Sequence, residues 1–268
     1  MPLQQMAEIL KNYSLGDDLW LMDFLAPEIV ETSQAGQFVQ LKVSTEYDPL
    51  LRRPISIFDL DVNGGNMRLL YKIVGRGTRM MSQLPPGAKI DVMGPLGRGF
   101  NLQPPGSRVA LVGGGVGIAP LLYLAKQLLS REHQVALYHG AATAAGLNLD
   151  AEFEQLNLNY IYSTDDGSKG YHGRITDLFT AQINRQNCDA VYTCGPEAMM
   201  AAVAAHCRQQ GLWAELSLET TMACGMGACL GCACRLKAGD QRYAKVCQDG
   251  PVFSLEQLDL EPEGGNRA

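Results

Sequence analysis

"RVALVGGGVGIAPLLYLAKQLLS" occupies residues 108–130. It opens as a short apolar strand, passes through glycines at 113, 114, 115 and 117, and ends in an apolar segment with helical spacing. Pro120 suits a first helical turn, where its missing N–H is one of the amides left unpaired anyway. The stretch therefore predicts strand, glycine turn and helix in succession. Such a turn lets backbone approach a pyrophosphate while the helix N-terminus points at it. The spacing is not a strict G-x-G-x-x-G, because Ile118 stands where the third glycine would be. A plain tight turn between strand and helix would use the same glycines.

Going outward toward the C-terminus, the alternation repeats. "QVALYHGA" (134–141), "NYIYST" (159–164) and "DAVYTCG" (189–195) read as strands. "PEAMMAAVAAHCRQQG" (196–211) reads as a helix opened by Pro196 and closed by Gly211. Strands alternating with helices imply a parallel sheet covered on both faces. "TCGPE" (193–197) puts a second glycine turn at a strand end, with Cys194, Gly195, Pro196 and Glu197. Ligands in such sheets bind at the carboxyl ends of strands, so the two turns can face one ligand. "STDDGSKG" (163–170) follows a third strand. Asp165 or Asp166 could accept hydrogen bonds from a ribose and repel a 2′-phosphate, which favours NAD over NADP. Asp-Asp-Gly is equally good turn chemistry.

Toward the N-terminus the pattern is β. "QFVQLKVS" (37–44), "ISIFDLDV" (55–62), "MRLLYKIV" (67–74) and "KIDVMGPL" (89–96) are strand-like runs between turn residues. Short strands at close spacing suggest a small barrel or sandwich. "QPPG" (103–106) marks the break. Within this region "LRRPISIF" (51–58) offers Arg53, able to clamp a phosphate, and Ser56, able to hydrogen-bond a flavin or its phosphate chain. "LLYKIVGRGTRMMSQL" (69–84) adds Tyr71 and Lys72, then Gly77 and Thr78 opening a short helix. Taken singly each is a weak signal, since an arginine beside a proline is usually just a surface residue; the combination with the glycine turn and the cysteine segment gives them weight. The expected division is 1–101, a β domain; 102–212, an α/β domain; and 213–268, a small C-terminal domain with a flexible tail, "EPEGGNRA".

Composition narrows the classes. Of 268 residues, 46% are hydrophobic and 19% charged, ordinary for a soluble globular protein. A net charge of -6 argues against nucleic-acid binding, which needs a basic face. No apolar run approaches the ~20 residues of a membrane span. The N-terminus lacks the basic region and apolar core of an export signal, so a cytoplasmic, reducing compartment is expected. There, clustered cysteines point to metal or redox chemistry rather than disulfides.

Five of the eight cysteines fall between Met222 and Phe253. Four are spaced Cys224-x4-Cys229-x2-Cys232-x14-Cys247. The first three match the plant-type iron–sulfur pattern, completed by a distant fourth. A 2Fe-2S cluster needs four thiolates, and a tight loop with Gly225, Gly227 and Gly231 can supply three of them from nearby backbone. Zinc sites usually show two C-x2-C pairs, and here there is one. Zinc and disulfides are the alternatives. Cys234 stands outside the pattern, and Cys188, Cys194 and Cys207 read as core or strand-end residues.

"RPIS", "LYK", "GRGT", "GGGVGIAPL", "TCGPE" and the cysteine segment fall in this order along the chain. Together they resemble the ferredoxin–NADP reductase superfamily. Within it, residues 1–255 look like the electron transfer subunits of NAD-dependent (class 1B) dihydroorotate dehydrogenase. The resemblance implies an antiparallel β-barrel binding FAD along Arg53, Pro54, Ile55 and Ser56, joined by Leu70, Tyr71, Lys72, Gly77 and Thr78. It implies an NAD-binding parallel-sheet domain, with Gly113, Gly114, Gly115, Gly117 and Cys194–Glu197 at the nucleotide. It implies a 2Fe-2S domain on Cys224, Cys229, Cys232 and Cys247. The superfamily favours an aromatic residue at the position of Ile55, a departure that the narrower family shares. The implied partner is an FMN-containing dihydroorotate dehydrogenase catalytic subunit, in a heterotetramer of two subunits of each kind serving pyrimidine (UMP) biosynthesis. The competing readings are a reductase subunit for another partner, such as a sulfhydrogenase or a glutamate synthase-like enzyme, and a zinc-stabilised binding module without catalysis.

Overall fold

Alternation of inward apolar and outward polar residues builds the first hundred residues into a barrel. In the computed structural model, which describes residues 2–237 and 243–260, this region holds β1 (Leu3–Gly16), β2 (Leu19–Leu25), α1 (Pro27–Thr32), β3 (Phe38–Lys42), β4 (Arg53–Asp61), β5 (Asn66–Lys72), α2 (Arg76–Ser82) and β6 (Lys89–Leu96). The strands close in the order β1-β2-β5-β4-β3-β6, every pairing antiparallel. Closure leaves no open sheet edge. Ile9, Met22, Phe24, Val39, Leu41, Ile57, Leu69 and Tyr71 fill the interior. β1 and β2 are joined through Gly16, Asp17 and Asp18, all at positive φ, the backbone of a tight hairpin turn.

The second unit follows the alternation. Its elements are β7 (Arg108–Gly114), α3 (Ala119–Leu129), β8 (Gln134–Ala141), α4 (Asp150–Glu154), β9 (Asn159–Thr164), β10 (Tyr171–His172), α5 (Ile175–Gln182), β11 (Ala190–Cys194), α6 (Glu197–Gln210) and β12 (Trp213–Ser217). β13 (Ala233–Arg235), β14 (Tyr243–Lys245) and β15 (Val252–Ser254) complete the chain. The sheet order is β10-β9-β8-β7-β11-β12-β15, parallel except for β15. α3 buries Leu121, Leu122, Leu124, Ala125 and Leu128. Each such leucine contributes roughly 1.5–3 kcal/mol. α6 ends at Gly211, φ 63°, the left-handed cap expected of that glycine.

One boundary moves. Trp213–Ser217, expected to begin the C-terminal domain, is a strand of the central sheet, paired in parallel with β11. Among the described residues no helix follows it, so helix–strand periodicity could not mark it. β15 returns from the cysteine segment to pair with it, and the hairpin β13–β14 stands apart. The tail 261–268 lies outside the described residues. Among the described residues no helix is long and apolar enough to cross a membrane.

An ion network fastens barrel to sheet. Arg68 on β5 meets Glu152 on α4 at 2.6 Å, Asp59 at 3.4 Å and Asp23 at 3.5 Å, and lies over the Phe58 ring. Lys126 on α3 meets Asp59 at 2.6 Å. Burial works against the Arg68 charge, but Glu152, Asp23 and Asp59 outweigh it and raise its pKa. The hydrogen bond from Arg68 holds the Glu152 carboxyl below its ordinary value. A depressed carboxylate contributes stability above its ordinary pKa and loses it as pH falls through the folded value. Arg68→Met is expected to cost about 1–3 kcal/mol, because buried Asp59 and half-buried Glu152 lose a cationic partner. Urea unfolding at neutral pH measures this, and a cost below about 0.5 kcal/mol would make the network ornamental.

Candidate cofactor cavity and cysteine loop

The two glycine turns meet backbone to backbone. A Cβ on Gly117 would lie 2.5 Å from the Gly195 Cα and 2.7 Å from the Cys194 carbonyl oxygen. A Cβ on Gly114 would strike Met199 and Pro196 at 2.7 Å, and one on Gly113 would strike Ile118 at 2.5 Å. Ile118, which breaks the strict motif, is thus the residue that packs on the first glycine. Gly115 differs: at φ +54° it has nothing within 4 Å of a Cβ. It faces a cavity of about 1080 Å³ lined by Gly114–Gly117, Gly195–Glu197 and Leu218–Thr220. Lys72 at the end of β5 also lines it, as do Cys234 and Val246 beside the cysteine loop. The Cys194 side chain is fully buried, and burial raises its pKa. Any contact there falls to its backbone.

On the barrel, Arg53 and Gly77 are in direct contact: a Cβ on Gly77 would collide with the Arg53 guanidinium. That contact joins the start of β4 to the start of α2. The Thr78 hydroxyl accepts from the Val74 N–H at 3.0 Å and fixes the turn into α2. Pro54 and Ser56 alternate with Ile55, which packs into the barrel core. Leu70 packs toward α3, whereas Tyr71 is buried inside the barrel, donating to Asn12 Oδ1 at 2.9 Å. Tyr71 therefore presents backbone, not a ring, to anything outside the barrel.

The cysteine loop carries the donors that a set of thiolates requires. Gly227 N–H points at Cys247 Sγ at 3.1 Å, Cys229 N–H at Cys224 Sγ and Cys247 N–H at Cys232 Sγ, both at 3.4 Å. Gly225 and Gly227 sit at φ +69° and +82°, which only glycine adopts cheaply. These backbone bonds link the cysteines in pairs, Cys224 with Cys229 and Cys232 with Cys247. The second pair is buried; Cys229 is exposed. Burial opposes ionisation of Cys224, but the amides of Met226, Ala228 and Cys229 win and bring it down to about 6. Burial and the neighbouring Cys232 thiol push Cys247 up to about 12. Metal binding would displace that proton.

Residues 219–259 match the family model for the iron-sulfur cluster binding domain of dihydroorotate dehydrogenase B, and residues 111–205 that for an oxidoreductase NAD-binding domain. The chain is 39% identical over 256 residues to the electron transfer subunit of dihydroorotate dehydrogenase B (NAD(+)) of Desulforamulus reducens, covering 95% of this chain and 98% of that one. It is 44% identical to the subunit of the same name from Geobacillus thermodenitrificans, covering 87% and 89%. The chain belongs to the dihydroorotate dehydrogenase B electron transfer subunit family. Among solved structures, a chain of an NADH-dependent reduced ferredoxin–NADP oxidoreductase, described for flavin-based electron bifurcation, superposes with a TM-score of 0.84 at 30% identity, covering 96% of this chain and 90% of that one. A ferredoxin–NADP+ reductase from Neisseria gonorrhoeae shares the fold, with a TM-score of 0.65 at 18% identity over 78% of this chain and 92% of that one.

The family assignment makes the chain an NAD oxidoreductase subunit with an iron–sulfur domain and removes the zinc-module alternative. Among the described residues no three His, Cys, Asp or Glu side chains gather as around one metal ion. Two residues escaped the sequence reading. Glu219 opens into the cavity just past β12, and its desolvating walls raise its pKa; its place at a carboxyl strand end would have marked it had β12 been recognised. Gln40 on β3 is fully buried against Gly225. Asp166 is not drawn into the cavity. Its carboxylate accepts from the Ser168 N–H at 3.0 Å and hydroxyl at 2.6 Å, which lowers its pKa and closes its own turn. Cys234, on β13, does reach the cavity wall.

Proposed function

We propose that this chain carries electrons between NAD and the FMN of a dihydroorotate dehydrogenase catalytic subunit, through FAD and a 2Fe-2S cluster. The observation that carries this reading is the single cavity shared by Lys72 of the barrel, both glycine turns and the border of the cysteine loop. A flavin exchanges electron pairs with a nicotinamide and single electrons with an iron–sulfur cluster, so it belongs between the two. Arg53 is suited to hold the flavin's phosphates, with Gly77 and Thr78 fixing its approach. Pro54, Ile55, Ser56, Leu70, Tyr71 and Lys72 would lie along the flavin. Gly113, Gly114, Gly115, Gly117 and Cys194–Glu197 would hold the nicotinamide nucleotide. Cys224, Cys229, Cys232 and Cys247 would ligate the cluster. Met226, Leu230 and Tyr243, apolar yet exposed beside the cysteines, mark the face a catalytic subunit would cover. The assembly would be a cytoplasmic heterotetramer in pyrimidine biosynthesis.

Adding dihydroorotate anaerobically to the native complex tests the wiring. Bleaching of flavin and iron–sulfur absorbance is expected. If only NADH bleaches them, the partner is different. The likeness to an NADH-dependent ferredoxin–NADP oxidoreductase chain favours that second reading, an electron-transfer subunit serving another flavoprotein. Arg53→Ala is expected to lower FAD retention about 10-fold or more, since it removes a charge-assisted phosphate contact. Flavin content equal to wild type after gel filtration would remove Arg53 from the site.

A further inference from the structure

One barrel side chain faces outward, is sealed from solvent, and has nothing to bond. Gln40 lies on β3 between Val39 and Leu41, both in the barrel core. Strand alternation turns it to the opposite face, yet it is 0% exposed. The cysteine loop covers it: a Cβ on Gly225, the residue after Cys224, would collide with the Gln40 amide. Across the ladder Gln40 pairs with Pro54 on β4 and Met93 on β6. It therefore stands between the strand assigned to the flavin and the loop assigned to the cluster. Neither Nε2 nor Oε1 has a hydrogen-bond partner. A buried amide left unpaired is costly, and an apolar residue would fill the same space without that cost. Gln248, which packs on Gly227, comes from the cysteine segment itself. Gln40 reaches the loop from the other domain.

We propose that Gln40 is a positioning residue for the electron path. Its side-chain N–H donates to the sulfur on the Cys224 side of the cluster and holds the cysteine loop against the flavin-binding barrel. This rests on the assignment of FAD and cluster made above. A donor to sulfur stabilises the reduced, more negative cluster, so Gln40 raises its reduction potential.

Gln40→Met keeps length and volume and removes both N–H groups. The test uses the full chain, with iron, sulfide and flavin measured before an EPR-monitored redox titration. Wild-type iron, sulfide and FAD content is expected in the variant. The one-electron equilibrium of the cluster is expected to shift about tenfold toward the oxidised form, about 59 mV for a one-electron couple. A potential within twofold of wild type in that equilibrium overturns the proposal, even if stability falls. If Gln40→Met assembles no cluster, Gln40→Glu, nearly isosteric but without a donor when ionised, replaces it. A lower potential is expected there too, and a wild-type value overturns the proposal. A wild-type chain that binds no cluster or no FAD overturns the underlying assignment instead.

Discussion

Cys229→Ser is expected to lose the iron–sulfur absorbance and EPR signal while keeping FAD and reducing it with NADH within about twofold of the wild-type rate. A serine hydroxyl does not ionise at neutral pH as a thiol does, so one iron loses a ligand. Cys229 is the exposed member of the outer thiol pair, and neither it nor Cys224 lines the glycine-turn cavity. Its removal should leave the nucleotide site untouched. Electron delivery from NADH to a one-electron acceptor or the catalytic partner is expected to fall by more than about 100-fold, at least the loss that even outer-shell changes cause at metal sites. Stopped-flow absorbance of the flavin, beside acceptor reduction under steady state, reads both halves. If NADH no longer reduces the flavin in the variant, the two sites are not separable and the assignment of the cavity is wrong.

How much of this could be read from the chain follows from what kind of signal each part carries. β6, β8 and β9 have the bounds that their strand-like runs predicted. α3 and α6 were visible in their proline starts and, for α6, in Gly211. The cysteine spacing was legible because ligand geometry constrains sequence distance directly. β12 was not, since among the described residues no helix follows it to give a period to count. Nor was β1, where Met6 and Leu10 are exposed and Gln5 is half-buried, so residue type does not follow burial. Gln40 and Glu219 gained meaning only once a second segment was folded against them. What surrounds a polar group decides its role, and those neighbours come from remote parts of the chain. Asp166 shows the reverse: turn chemistry and ribose recognition use the same residues, and here the turn takes the carboxylate.

Gly117→Ala is expected to destabilise the protein by about 1–3 kcal/mol, the usual cost of forcing extra methyl groups into filled space. Gly117 does not owe its place to backbone conformation. The obstacle is space: the added Cβ would meet the Gly195 Cα at 2.5 Å and the Gly195 nitrogen and Cys194 carbonyl oxygen at 2.7 Å. All three are backbone atoms, so no rotamer change relieves the contact and the two strand ends must separate. A displacement of that kind at a nucleotide site is expected to slow NADH-driven flavin reduction about 100-fold, with FAD content unchanged. Gly115→Ala supplies the contrast. Its Cβ meets nothing within 4 Å, but its φ of +54° imposes roughly 1–2 kcal/mol of backbone strain and puts a methyl group at the cavity edge. NADH affinity should weaken there with the strand ends still in place. Thermal unfolding and single-turnover flavin reduction on both variants separate the two effects. If Gly117→Ala reduces its flavin with NADH at the wild-type rate, the close approach of the two turns is a packing feature and not the floor of the nucleotide site.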